Sequence, residues 1–306
     1  MPINRRKFIS LSAVSGAAAM INKIDTFALP SQIIKANAGY KLLIFATNWG
    51  FSGNWEAFCS KIKEAGYDGA EVWFIADPLE RKEFITAFQK YNLTFGLLVG
   101  GNDKDYKNHL LQFKSSLEGA VALKPVYINC HSGRDHFSFD QNRAFIDFSV
   151  DLASKSKVPV YHETHRSRIL YSAPVARHFI EMIPDIRLTL DISHWCCVHE
   201  SLLGDQQETI SMVLNKTNHI HARIGHPEGP QVNDPRAPEW KDAVNAHLSW
   251  WDQVVNRKKQ EGQLMTMLTE FGPVGYLPAL PYTRLPVADQ WEINKYMLEL
   301  LKKRYS

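Results

Sequence analysis

Val158-Pro159-Val160-Tyr161-His162-Glu163-Thr164-His165 and Arg187-Leu188-Thr189-Leu190-Asp191-Ile192-Ser193-His194 are two short apolar runs, each ending on an acidic residue and a histidine. Between them, residues 173–183 (APVARHFIEMI) place apolar side chains at helical spacing. A strand, an amphipathic helix and a second strand within about forty residues read as a parallel βαβ unit.

The same alternation extends in both directions. Strands are expected at 41–46, 69–74, 93–99, 125–130, 158–162, 187–190, 219–222 and 264–269. Several are unbroken apolar runs (LLIFA, LTFGLLV, MTML), the pattern of strands covered on both faces. Helices are expected at 55–65, 78–91, 106–123, 139–155, 173–183, 239–260 and 291–304, with Gly66 ending the first. Eight strand–helix units in a chain of 306 residues predict a single (β/α)8 TIM barrel over residues 39–306. No Gly-x-Gly-x-x-Gly follows the first strand, which argues against a dinucleotide fold. From Ile224 onward, an irregular stretch with Pro227, Pro230, Pro235 and Pro238 predicts an extended loop on the upper face, running into a helix.

Composition narrows the function classes. A formal net charge of +3 gives no basic surface for nucleic acid. Four cysteines in a chain this long are no disulfide framework. Cys196 and Cys197 are neighbours with Cα atoms about 3.8 Å apart, too close for ordinary disulfide geometry. Cys59, Cys130, Cys196 and Cys197 are all expected to be buried small hydrophobes. Residues 1–38 follow the plan of an export signal: Asn4-Arg5-Arg6-Lys7-Phe8, then a weakly apolar run from Leu11 to Ile21. The arginine pair resembles a twin-arginine signal, which predicts a periplasmic protein. Ala36-Asn37-Ala38 suits cleavage just before the first strand, and no cysteine stands near the apolar run to carry a membrane anchor.

In such barrels the chemistry gathers at the carboxyl ends of the strands. Strands five to eight end on Glu163, Asp191, His221 and Glu270, so these four should converge. Crowded carboxylates repel unless a cation neutralises them. Three carboxylates and one imidazole suit Mn²⁺ first, then Mg²⁺ or Co²⁺, and Zn²⁺ less specifically. His219 and His221 lie two apart and face the same way, and the later one is nearer the rim. Taken singly, each carboxylate has a plainer reading, as a helix cap or an arginine's partner. It is the ordered set that points to a metal.

This order, E…DxxH…HxH…E, resembles the xylose-isomerase-like superfamily of sugar phosphate isomerases and ketose 3-epimerases, over residue 40 to the end. The resemblance implies a metal held by Glu163, Asp191, His221 and Glu270. Glu163 and Glu270 would be the acid and base, and His194 a substrate contact. Such an enzyme removes a proton beside a carbonyl of a sugar or keto-sugar and stabilises the resulting enediolate on the metal. The chain departs from the epimerases after its strand-seven histidine. It reads His221-Ala222-Arg223-Ile224-Gly225-His226, and Arg223 is expected to bind a substrate hydroxyl or carboxylate. Relatives in the wider group act on 3-keto-glycosides, so a lyase or hydratase on the same site is the alternative.

Further pocket residues are expected at other strand ends: Glu71 and Trp73 on strand two, His131 on strand four, and His165 after strand five. One of Arg166 and Arg168 is expected to orient substrate or a carboxylate ligand. Trp49, Phe51 and Trp195 are candidates for an apolar wall against a sugar face, with core packing as the plainer reading. The expected partner is a sugar or keto-glycoside, and barrels of this type often self-associate, so a homo-oligomer is an expectation too. An apurinic endonuclease would want three zincs and a basic face, and a sugar-binding protein would need no metal.

Overall fold

The structure is a computed structural model that describes residues 39–306. The expected export signal, residues 1–38, lies outside the described residues. Eight parallel strands close into one barrel in chain order: β1 (Lys41–Thr47), β2 (Gly69–Trp73), β3 (Thr94–Gly100), β4 (Ile128–His131), β5 (Val160–Glu163), β6 (Leu188–Leu190), β7 (Thr217–Ala222) and β8 (Leu264–Thr269). β1 closes the ring on β8, with Lys41 opposite Leu264 and Ala46 opposite Thr269. Around it run α1 (Trp55–Ala65), α2 (Pro78–Lys90), α3 (Tyr106–Ala122), α4 (Phe139–Ser156), α5 (Ala173–Met182), α6 (Ser193–Val198), α7 (Gln207–Lys216), α8 (Lys241–Gln260) and α9 (Gln290–Tyr305). Among these helices none is long and apolar enough to cross a membrane.

Local chemistry explains the boundaries. Asn54 accepts from the Ala57 N–H at the start of α1, and Gly66 ends that helix in the left-handed region at φ 88°. Asp77 caps α2 with Pro78 in its first turn, and Ser138 with Gln141 forms a capping box on α4. β4 and β5 start two or three residues later than expected. Pro125 and Pro159, inside the expected runs, have no N–H to give to a ladder. The irregular stretch after Ile224 does end in a helix, entered through a 3-10 turn at Pro238–Trp240.

Strand alternation separates two apolar layers. Ile44, Ala46, Val72, Leu97, Ile220 and Met267 belong to the large core between strands and helices. Leu43, Phe45, Tyr127 and Leu268 form a separate small cluster. Phe45 meets Tyr127 edge-on at 5.4 Å. β1 and β4 are not neighbours, so this contact crosses the barrel interior. Two residues further along each strand, the inward face turns polar: Asn129 follows Tyr127, and Glu270 follows Leu268. The barrel is thus plugged below by aromatic and aliphatic side chains and lined above by charge.

Gly69 sets how closely β2 approaches β3. A Cβ there would stand 2.0 Å from the Thr94 carbonyl oxygen, a backbone atom with no rotamer to escape into. Gly69→Ala should cost about 1–3 kcal/mol through forced strand separation. For a domain of this size that lowers Tm by about 5 °C, readable by calorimetry. An unchanged Tm would mean the ladder yields freely at this point.

Candidate metal centre and active site

Six inward side chains meet at the upper end of the barrel. Glu71 comes from β2, Asn129 from β4, Glu163 from β5 and His221 from β7, while Asp191 and Glu270 directly follow β6 and β8. All but Glu270 are at most 3% exposed, and the Glu270 side chain is 13% exposed.

Nδ1 of His221 lies 2.8 Å from Oε2 of Glu270, yet neither atom makes a hydrogen bond of acceptable angle. Oε1 of Glu163 is likewise buried without a partner. Its Oε2 is well held, by Asn129 Nδ2 at 2.7 Å and His131 Nε2 at 2.9 Å. Asp191, His221 and Glu270 each offer one ligand atom, all within 4.8 Å of one another, as do Glu163, Asp191 and His194. Buried lone pairs without a hydrogen-bond partner are what a cation's ligands present. Asp191 is common to both groups, so the described residues offer a divalent ion Asp191 with His221 and Glu270, or Asp191 with Glu163 and His194.

The electrostatics agree. Burial opposes a charge on His221, but Glu270, Glu71 and Glu163 outweigh it and raise its pKa well above the ordinary value. Burial pushes the Asp191 carboxyl up to about 6, partly offset by Arg223 and reinforced by Glu270 and Glu163. The pocket's field is negative, and it draws in protons or metal.

Glu71 reaches the floor of the site. It takes contacts from His219 Nε2 at 3.4 Å and His221 Nε2 at 3.2 Å. Burial would raise its pKa, but those imidazoles prevail and hold it far below the usual range. His219 donates through Nδ1 to the Thr266 carbonyl, and its Nε2, without a hydrogen-bond partner among the described residues, faces Glu71. Glu71, His219 and His221 thus form a further group able to hold a cation. His221 alone of the pair faces Glu270, in line with its place nearer the rim.

Arg223 is 2% exposed. Its guanidinium makes a close ion pair with Asp191 and stands 3.5 Å from Glu270 Oε2 and 3.0 Å from His194 Nε2. Ser193 Oγ donates to Asp191 and accepts from Arg223 Nε. The arginine after the strand-seven histidine thus faces the carboxylates of the site itself.

Toward the solvent, three imidazoles pack in a row. His131 and His165 are 4.6 Å apart, and His165 and His194 3.8 Å. Burial lowers the pKa of His165 and of His194 well below the ordinary value, which favours the neutral form of each ring. Trp73, half exposed, meets His131 edge-on at 5.4 Å and forms part of the rim. Tyr276 lies over Arg223 at 4.7 Å and touches Trp49 edge-on at 4.9 Å.

Some expectations are corrected. Trp195 is fully buried and donates Nε1–H to the Leu170 carbonyl, so it packs in the core and is no sugar wall. Cys197 is only partly buried, beside Arg166 at 3.7 Å, while the other three cysteines are buried. Asn129 and Tyr276 escaped the sequence reading. Asn129 was hidden because an amide inside an apolar run carries no motif. Its position two residues before His131, on the same face, was the available signal.

Residues 59–237, more than half of the chain, match the family described as Xylose isomerase-like TIM barrel. The fold is similar to that of 3-keto-D-glucoside 4-epimerase YcjR from E. coli, at 16% identity and a TM-score of 0.56, covering 86% of this chain and 100% of that one. It is similar to a D-tagatose 3-epimerase-like protein at 15% identity and a TM-score of 0.58, with the same coverage. A third is the probable 3-DHS dehydratase AsbF from Bacillus anthracis, at 14% identity, a TM-score of 0.55, and 86% and 100% coverage. No curated protein matches the chain.

Proposed function

We propose that this chain, which belongs to the xylose-isomerase-like TIM-barrel family, is a divalent-metal-dependent isomerase or epimerase of a sugar or keto-sugar. The observation that carries the reading is the bare pair His221 Nδ1 and Glu270 Oε2, beside the bare Oε1 of Glu163. An ion held by Asp191, His221 and Glu270 would supply Lewis acidity to neighbouring carbonyl and hydroxyl oxygens of the substrate, with Oε1 of Glu163 left free beside it.

The chain's own groups handle the proton. Glu163 is fixed through Oε2 by Asn129 and His131, which leaves Oε1 to take a proton from the carbon beside the carbonyl. Glu270, the most accessible of the carboxylates, returns one. His194 and His165, whose neutral forms burial favours, are placed to hydrogen-bond substrate hydroxyls without adding charge. Trp73 and His131 border the entrance, and Glu71 keeps the His221 ring oriented from below.

Mn²⁺ is the ion best supported by the oxygen-rich set, followed by Mg²⁺ and Co²⁺, with Zn²⁺ less favoured. Protein stripped with EDTA should rebind one Mn²⁺ per chain and gain thermal stability as it does. Calorimetric titration reads both, and no binding would remove the foundation of the proposal. Restored enzyme in D₂O should place deuterium on a ketose carbon.

The alternative, a 3-keto-glycoside lyase or hydratase, uses the same glutamates. One protein of this fold is named for a 3-keto-D-glucoside, so 3-keto-glucosides belong in the panel with free ketoses. Product NMR separates epimerised sugar from cleaved glycoside. The pocket is rich in imidazole, so abasic DNA belongs there too, and nicking it would overturn the sugar reading. The start Asn4-Arg5-Arg6-Lys7 supports export to the periplasm, which cell fractionation tests.

A further inference from the structure

Three arginines on the loops after β4 and β5 form no ion pair among the described residues, although Glu163 and Asp135 attract Arg168 at longer range. Among the described residues the Arg134 side chain makes no hydrogen bond or ion pair, and its backbone is used by Asn142 and Phe137. Among the described residues the Arg166 guanidinium meets Cys197 Sγ and lies 5.2 Å from the centre of the Tyr276 ring. Arg168 is the most telling. Its Nε and Nη1 are buried and have no hydrogen-bond partner. Burial, and then Arg134, lower its pKa, against a smaller opposite pull from Glu163 and Asp135.

These groups border the catalytic cluster. Tyr276 lies against both Arg166 and Arg223, and Arg223 touches Asp191 and Glu270. Arg168 follows His165, whose ring packs on His131 and His194, by three residues. Unlike Arg223, none of the three is in an ion pair with a site carboxylate among the described residues, and Glu163 reaches Arg168 only at longer range. Arg168 is half-buried, but two of its guanidinium nitrogens are shut away from water without a partner, which is costly to the free protein. Keeping it beside another arginine makes physical sense if an anion arrives with the ligand.

We propose that the substrate is a sugar acid, and that Arg168, with Arg134 and Arg166, binds its carboxylate while the keto end meets Glu163. This rests on the sugar-isomerase reading and names its substrate class. A planar carboxylate matches a planar guanidinium in a two-bond fork. A phosphate is commonly met by free N–H groups at a helix start. Here those starts are closed. Ser138 and Gln141 cap α4. At α5 the Ala173 N–H donates to His199 Nε2, and Pro174 has none to offer.

The test is calorimetric binding to Mn²⁺-loaded protein, in wild type and in Glu163→Gln, where turnover is blocked. The probes are D-glucuronate, D-galacturonate and D-gluconate, each against its neutral sugar or polyol, and glucose 6-phosphate. At least one acid should bind ten-fold or more tightly than its neutral partner. Arg168→Gln should shrink that preference to about twofold, with Arg168→Lys keeping part of it. Ligand-free Arg168→Gln should also melt about 2 °C higher, because an unpartnered charge is gone. Should that variant fail to fold, Arg134→Gln carries the same binding test.

Equal binding of acid and neutral partner overturns the inference. So does a preference that survives Arg168→Gln, tighter binding of glucose 6-phosphate, or a lower melting temperature for ligand-free Arg168→Gln. None of these readouts needs turnover. Absence of deuterium exchange counts against the isomerase reading alone, and absence of acid preference counts against this inference alone.

Discussion

Glu163→Gln lowers kcat by about a thousandfold, the range expected when a positioned general base is lost. The substitution keeps shape and removes charge. In the native protein, Asn129 Nδ2 at 2.7 Å and His131 Nε2 at 2.9 Å both address Oε2. The amide oxygen of the variant will keep those two donors. Its NH₂ group then takes the place of Oε1, the atom with no partner and the one assigned to the proton. An NH₂ group accepts no proton. The loss should therefore appear in single-turnover deuterium exchange, while calorimetric Mn²⁺ affinity, carried by Asp191, His221 and Glu270, stays within a few-fold of wild type. Glu270→Gln should cost a similar factor in turnover. Circular dichroism and Tm of both variants should stay near wild type. A loss of less than tenfold for Glu163→Gln would assign the base elsewhere.

The reach of the sequence has a physical limit. Glu163, Asp191, His221 and Glu270 were legible because strand ends can be counted along the chain, and a barrel forces successive ends to converge. Relations across the barrel have no such signature. Nothing local says that Asn129 bonds Glu163, or that His219 is committed to Glu71 and Thr266. Nor could residue order show that Arg223 turns inward onto Asp191 and not outward to solvent. Helices show the same divide. α1 was readable end to end, through its amphipathic spacing and Gly66. α6 was not, because Ser193, His194, Trp195 and Cys196 are all buried and leave no polar face. α7 buries Ile210, Val213 and Leu214 at helical spacing but has no side-chain cap to mark its start.

Arg223→Met should destabilise the metal-free protein by about 3–5 kcal/mol, the cost of leaving buried charge uncompensated. Arg223 is the cation closest to Asp191, and it stands 3.5 Å from Glu270. Burial disfavours its charge, but Asp191 and Glu270 dominate and raise its pKa further. Methionine fills much of the volume and removes the charge, which leaves Asp191, Glu163 and Glu270 facing one another. For a domain of this size Tm should fall by about 6–15 °C. Saturating Mn²⁺ should then restore more stability to the variant than it adds to wild type. An ion at the carboxylates replaces the missing positive charge, and the gain follows the logarithm of the ratio of ion concentration to Kd. The variant should also bind Mn²⁺ more tightly, because no guanidinium competes for Asp191. Thermal melts across a Mn²⁺ series, wild type beside Arg223→Met, measure all three effects. A variant as stable as wild type without metal, or one that Mn²⁺ fails to rescue, would show that Arg223 and the ion do not share the same carboxylates.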